Sequence, residues 1–216
     1  MTTKLRIYNG ALLLCGQTRL SALTDDIEAR YLLDEVYDDG GINDCLEEGQ
    51  WRFAMRSARF DYDAAVEPSW GLKRAFEKPP DWVVTSAVAS DEYFTTPLIG
   101  RQYVDEADYW YADLDEIYVR YVSDDTNFGM NIGDWPVAFT EYVKAHFAFR
   151  VIHSLTKDKE RWQLVGREVE KRRLNAQNRD AMAGPTQFPA KGSWVSSRRG
   201  GRGPLGDGGQ SGSLTG

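Results

Sequence analysis

From Trp135 to Ile152, apolar side chains return at helical spacing. Trp135, Ala138, Phe139, Tyr142, Ala145, Phe149 and Ile152 form one stripe, and Val143, Phe147 and Val151 widen it. A helix that is apolar around most of its circumference must be enclosed by other structure, and this requirement organises the rest of the chain. Asp134 ahead of Trp135-Pro136 is a start signal, since a carboxylate accepts from free first-turn amides and proline is tolerated there. Thr156-Lys157-Asp158 breaks the pattern, and a second helix continues to Met182. Trp162, Val165, Val169 and Ala176 give it a narrow apolar stripe, and charged groups such as Arg167, Glu168 and Lys171 cover the remainder. The stretch Asp134 to Met182 therefore predicts a helical hairpin, with one enclosed helix and one half-buried helix.

Two further helices precede it. Lys4 to Cys15 carries Leu5, Tyr8, Leu12 and Cys15 on one side, Thr2 or Thr3 as cap and Gly16 as a left-handed stop. Thr24-Asp25-Asp26 reads as the start of a helix running to about Glu48, with a bend or close contact expected at Gly40-Gly41 and a clean break as the alternative. Trp51 and Phe53 follow as core filling. From Phe60 the periodicity changes and Pro68, Pro79, Pro80 and Pro97 punctuate the chain. Short alternating runs predict strands at 72–76, 83–89, 101–105, 108–111 and 116–122, with the last three adjacent and antiparallel in one small sheet. A sheet of that size must lean on the bundle or on a neighbouring chain.

The expected fold class is α+β: a helical bundle with an inserted small antiparallel β-rich lobe and an extended C-terminal arm. Its divisions are residues 1–59 for the first half of the bundle, 60–133 for the lobe, 134–183 for the second half and 184–216 for the arm. The arm is rich in Gly, Pro, Ser and Arg and cannot build a core. It nonetheless carries Phe188, Trp194 and Val195, followed by Arg198, Arg199 and Arg202. Large apolar groups and arginines are the usual anchors of an interface, so the arm reads as one laid across another subunit; a disordered tail with an incidental Trp is the other reading.

The 216 residues carry a net charge of −7, which gives no general attraction to nucleic acid and argues against a DNA- or RNA-coating protein. The two cysteines, Cys15 and Cys45, fall inside helix patterns and read as buried thiols in a reducing compartment. Ala11 to Leu14 is too short for a signal peptide, Asn9-Gly10 interrupts it, and no apolar run is long enough to span a bilayer. His146 and His153 lie seven residues apart, two turns on one helix, too far to share a metal unaided, and read as satisfied core or interface histidines. The loop from Asp124 to Asp134 fails calcium-loop spacing, and Ala190-Lys191-Gly192-Ser193 lacks the glycines of a phosphate loop. Carboxylates at hairpin turns, among them Asp105, Asp108 and Asp113, leave a glycosidase-type pair as a competing reading against solvated loops. Arg199 to Arg202 resembles a nucleic-acid-binding arm in a single copy.

Several motifs in fixed order resemble one family. These are Tyr8-Asn9-Gly10-Ala11-Leu12 and Leu14-Cys15-Gly16, then Leu20 to Leu23, then Trp51-Arg52-Phe53-Ala54. Lys78-Pro79-Pro80-Asp81-Trp82-Val83 follows, with Lys78 where that family usually has an apolar residue, and Arg120-Tyr121-Val122 and Trp135-Pro136 return to the bundle. Over residues 4–182 the chain resembles the head-to-tail adaptors of tailed bacteriophages, tail tubular protein A of short-tailed phages in particular. The resemblance implies a structural connector: a ring, usually of twelve copies, between the portal protein and the tail nozzle protein. It would help retain and conduct DNA that passes through the lumen without specific binding. It implies no catalysis, no cofactor, no metal and no membrane, and a place in the neck of the virion after synthesis in the cytoplasm of a bacterial host. The helical part would face the portal and the sheet part the nozzle, which makes Glu106, Asp113 and Asp115 candidate nozzle-facing loop residues. Candidate portal or inter-subunit contacts are Arg161, Arg172 and Arg173 on the charged helix, for which a solvated face is the alternative, and Phe188, Trp194, Arg198, Arg199 and Arg202 in the arm. The competing readings are another phage neck or stopper protein and a cell-wall glycan hydrolase.

Overall fold

The computed structural model describes residues 2–68 and 71–184. The class is α+β, with five helices and two small antiparallel sheets. In chain order these are α1 (Lys4–Cys15), α2 (Glu28–Asp38), α3 (Gly41–Glu47), β1 (Met55–Asp61), β2 (Arg74–Glu77), β3 (Trp82–Ala89), β4 (Tyr103–Asp105), β5 (Tyr109–Ala112), β6 (Glu116–Ser123), α4 (Val137–Thr156) and α5 (Lys159–Met182).

The enclosed helix is α4. Phe139, Val143, Phe147, Ile152 and their neighbours are buried against α1, α2, α3 and α5, in one core that also takes Trp51 and Trp135. The hairpin turn follows the expected break. Lys157 adopts a left-handed conformation (φ +52°), and Asp158 caps α5 by accepting from the amides of Glu160 and Arg161 at 2.9 and 3.2 Å. Asp134 does not cap α4. It belongs to a short 3-10 turn and accepts from the Asn131 side chain at 3.0 Å, while Pro136 occupies the cap position.

The second expected helix is two helices. Gly40 is left-handed (φ +82°), and a Cβ at Gly41 would stand 2.6 Å from the Val36 carbonyl oxygen, so the chain turns sharply there and the clean break is what occurs. Its start is also later than expected. Asp25 accepts from the amides of Ser21 and Ala22 in the preceding turn, and α2 begins at Glu28 with Ile27 as an uncapped neighbour.

Between the helical halves lie two three-stranded sheets rather than one. Their orders are β1-β6-β3 and β2-β5-β4, and every pairing is antiparallel. β4 and β5 form the expected hairpin, but β6 leaves β5 and pairs with β1 and β3 instead. The strand β1 starts at Met55, so the helical half ends before residue 59; its alternation was hidden by Arg56, Ser57 and Arg59, which face partly to solvent. The sheets enclose a second core around Phe76, Trp110, Ile117, Val119 and Tyr121. Along β6, Tyr121 belongs to this core and Val122 to the helical one, because successive strand residues point to opposite faces. The lobe thus leans on its own bundle through its central strand.

Candidate interaction surfaces

Several of the residues that carry the family resemblance, Trp51, Phe53, Asp81, Tyr121 and Trp135, lie where lobe and bundle meet. Trp51 packs its ring against Phe139 with centroids 4.8 Å apart and donates its indole N–H to the Cys45 carbonyl at 2.9 Å. Phe53 and Trp135 reach the same Phe139 ring at 4.7 and 5.0 Å, and Trp135 donates to the Gly129 carbonyl at 2.7 Å. Aromatic edges and faces at such spacings attract beyond their buried area.

Asp81 ties the lobe side of this junction. Its carboxylate accepts from Ser123 Oγ at 2.5 Å, from Arg56 Nη1 at 2.8 Å and from the Tyr121 hydroxyl at 3.3 Å, and its carbonyl accepts from the Asp124 amide at 3.0 Å. Burial alone would raise its pKa, but the hydrogen bonds from Ser123 and Arg56 outweigh it and hold the carboxyl below its usual value. The same carboxylate helps push the buried Tyr121 phenol up to about 12, after burial itself.

Lys78, in the place of an apolar residue, is accommodated rather than expelled. Its side chain is only 5% exposed, its ammonium pairs with Asp105, and it lies 3.5 Å from the centre of the Trp82 ring. The methylene stem fills apolar space while the charge meets a carboxylate and a ring face. The indoles of Trp82 and Trp110 both donate to one acceptor, Thr85 Oγ1, at 3.0 and 2.9 Å.

The expected contact arginines of α5 are engaged within the chain. Arg161 donates to the Cys15 carbonyl at 2.9 Å, where it meets the negative end of α1 and the left-handed Gly16. Arg172 bridges Glu141 and Glu168 at 3.0 and 3.3 Å, and Arg173 bridges Glu48 and Glu170 at 3.0 and 2.7 Å. These three side chains pin α5 to α1, α3 and α4. Phe188, Trp194, Arg198, Arg199 and Arg202 lie outside the described residues.

The loop carboxylates do not gather in one place. Glu106 is exposed in the turn between β4 and β5, whereas Asp113 and Asp115 follow the other end of β5. Asp113 accepts from the Lys73 amide at 2.9 Å, and Asp115 pairs with Arg74 at 3.1 Å. Asp105 and Asp108 flank the first turn, so the strand β5 separates both from Asp113. Among the described residues no group of three or more His, Cys, Asp or Glu side chains is placed to hold a metal ion, and no helix is long and apolar enough to cross a membrane.

The two histidines differ. His153 is exposed near the end of α4. His146 is largely buried; its Nε2 lies 3.4 Å from Asp44 Oδ2 without a well-formed hydrogen bond, and Arg150 donates to the same oxygen at 2.9 Å. Burial lowers the His146 pKa, and the nearby Asp44 only partly offsets it. Both cysteines are free and buried. Burial raises the Cys15 thiol to about 11 against the opposing pull of Arg161.

Searches against protein-family models and against curated proteins find no match. The reading below therefore stands on the residues and their arrangement. The sequence pattern passed over Arg6, Leu13 and Arg19, whose surroundings are described below; the available signal was that Arg6 and Leu13 fall off the apolar side of α1 that Tyr8 and Leu12 define.

Proposed function

We propose that this chain is a structural head-to-tail adaptor of a tailed bacteriophage, a ring subunit that joins the portal protein to the tail nozzle protein and lines a passage for DNA. The observation that carries this reading is the convergence of several of the family-like motifs on one junction. Trp51, Phe53 and Trp135 meet on Phe139, and Asp81 fastens Arg56, Tyr121 and Ser123 beside them. Motifs far apart in sequence are thus used together where the β lobe joins the helical bundle. A net charge of −7 suits a conduit wall that phosphate must pass without sticking. For the hydrolase reading, Asp113 stands apart from Asp105 and Asp108, and Asp105 is already paired with the buried Lys78.

The deciding experiment mixes the purified chain with the cognate portal ring and measures the mass of the product. A complex with many copies per portal ring is the expected result, and two species that never combine would overturn the reading. Removing residues 184–216 is expected to weaken that complex.

A further inference from the structure

We propose that the outer sides of α1 and α2 are the two halves of one contact, through which a copy of this chain grips the next. On the outer side of α1, Leu5, Arg6, Gly10 and Leu13, with Arg19 from the following connector and Lys144 from α4, line a groove of about 410 Å³. Three cations line it and no carboxylate does, on a chain of net charge −7. Lys144 is bonded to Glu141, but the guanidinium groups of Arg6 and Arg19 have no ion pair and no hydrogen bond among the described residues. Leu13 in the same groove is 59% exposed. Gly10 keeps the groove open, because a Cβ there would collide with the methylenes of Lys144.

The outer side of α2 is its chemical opposite. Glu28, Tyr31 and Glu35 fall on one stripe, about 10 Å long at 1.5 Å per residue. The carboxylates of Glu28 and Glu35 have no ion pair and no hydrogen bond among the described residues; Tyr31 between them is 53% exposed, with its hydroxyl on Asp26 at 2.7 Å and Arg30 3.9 Å from its ring centre. A basic groove with two unpaired arginines and a leucine and an acidic stripe with two unpaired carboxylates and a tyrosine are complementary in charge and in apolar content.

One molecule cannot join its own halves. Tyr8 donates to Asp34 at 2.7 Å and Lys4 lies 3.9 Å from the Tyr37 ring centre, so these residues mark the sides on which α1 and α2 face each other. Arg6 and Gly10 are each about half a turn around α1 from Tyr8, and the groove opens away from α2. A contact between two different patches of the same chain is heterologous, and its repetition makes a ring when the rotation closes. The closed ring rests on the adaptor reading, whereas the pairwise contact stands on the two surfaces alone.

The test uses two full-length variants, Arg6→Glu/Arg19→Glu and Glu28→Lys/Glu35→Lys, all at exposed positions, with circular dichroism as the check on folding. Sedimentation velocity at ~50 mM salt, where screening is weak, is expected to show concentration-dependent association of the wild type that fades as salt rises. Each variant alone should associate at least about tenfold more weakly, and an equal mixture should recover, since each reversed groove then meets a reversed stripe. A wild type that stays monomeric, variants that associate as it does, or a folded pair that fails to recover on mixing would each overturn the contact. So would a monomeric wild type whose groove instead takes up a labelled poly-glutamate peptide, which assigns it to a different acidic protein. Loading onto portal rings separates the two proposals. Variants that still load a full ring remove this contact and leave the adaptor reading. A wild type that self-associates but ignores the portal does the reverse.

Discussion

Tyr121 and Val122 are adjacent on β6, yet one is buried in the lobe core and the other in the helical core. A strand that serves two cores couples their stabilities. Val122→Ala is expected to cost about 1–2.5 kcal/mol, and hydrogen exchange should quicken in β5 as well as in α1. Loss of protection confined to the helices would show that the lobe and bundle open separately.

Asp81 faces a second test. Replacing it with Asn keeps the shape but removes the charge that Arg56 and Ser123 surround. The substitution is expected to destabilise by about 1–3 kcal/mol in urea denaturation, since Arg56 is partly solvated and its loss is screened. Asp81→Asn at unchanged stability would mean that the amide satisfies the cluster equally well.

Lys78 offers a contrasting case. Lys78→Met retains the stem and discards the charge, leaving Asp105, which is about one-third exposed, without its cation. Stability is expected to change by less than about 1.5 kcal/mol, and to rise if desolvating the ammonium costs more than its partners return. Thermal melts of Lys78→Met and Lys78→Ala separate the two contributions, because only the second also removes the buried methylene stem.

His146 predicts a pH dependence. Its folded pKa lies below the unfolded value of about 6.5, so the unfolded chain takes up a proton first on acidification. The full contribution of the neutral imidazole is present above pH ~6.5 and declines as pH falls below it. His146→Gln is expected to flatten the melting temperature between pH 7 and 5, relative to a wild type that loses stability across that range. Parallel profiles for both proteins would remove the histidine from the explanation.

Gly41 sets the break after α2. Gly41→Ala would push a Cβ against the Val36 carbonyl, a backbone atom that cannot swing aside, and is expected to cost about 1–3 kcal/mol in chemical denaturation. Gly40→Ala is strained for a different reason, its left-handed φ of +82°.

The helices were legible because their apolar spacing is long and regular. The stripe from Trp135 to Ile152 located α4, and the polar break at Thr156 to Asp158 fell where α5 begins. The caps were less legible, since Asp25 and Asp134 have the right chemistry but bond within turns just ahead of their helices. Five strand positions were readable within a few residues while β1 was missed, and of the strand partners only the β4–β5 hairpin was readable. The short connection between β5 and β6 suggested a hairpin, whereas the need to bury Tyr121 and Val122 on opposite faces sends β6 to β1 and β3. The arginines of α5 show the same limit from another side: a run of charge looks free in sequence, and only tertiary structure reveals Glu48, Glu141 and the Cys15 carbonyl beside it.

Thr85 gives the lobe a mechanical property. Its single hydroxyl oxygen, on β3, accepts from an indole of its own sheet and from Trp110 of the other. Sliding one sheet over the other would break the bond from Trp110. The two layers are therefore pinned to one another at this point, and the pin sits on β3, the strand that β6 joins to the bundle.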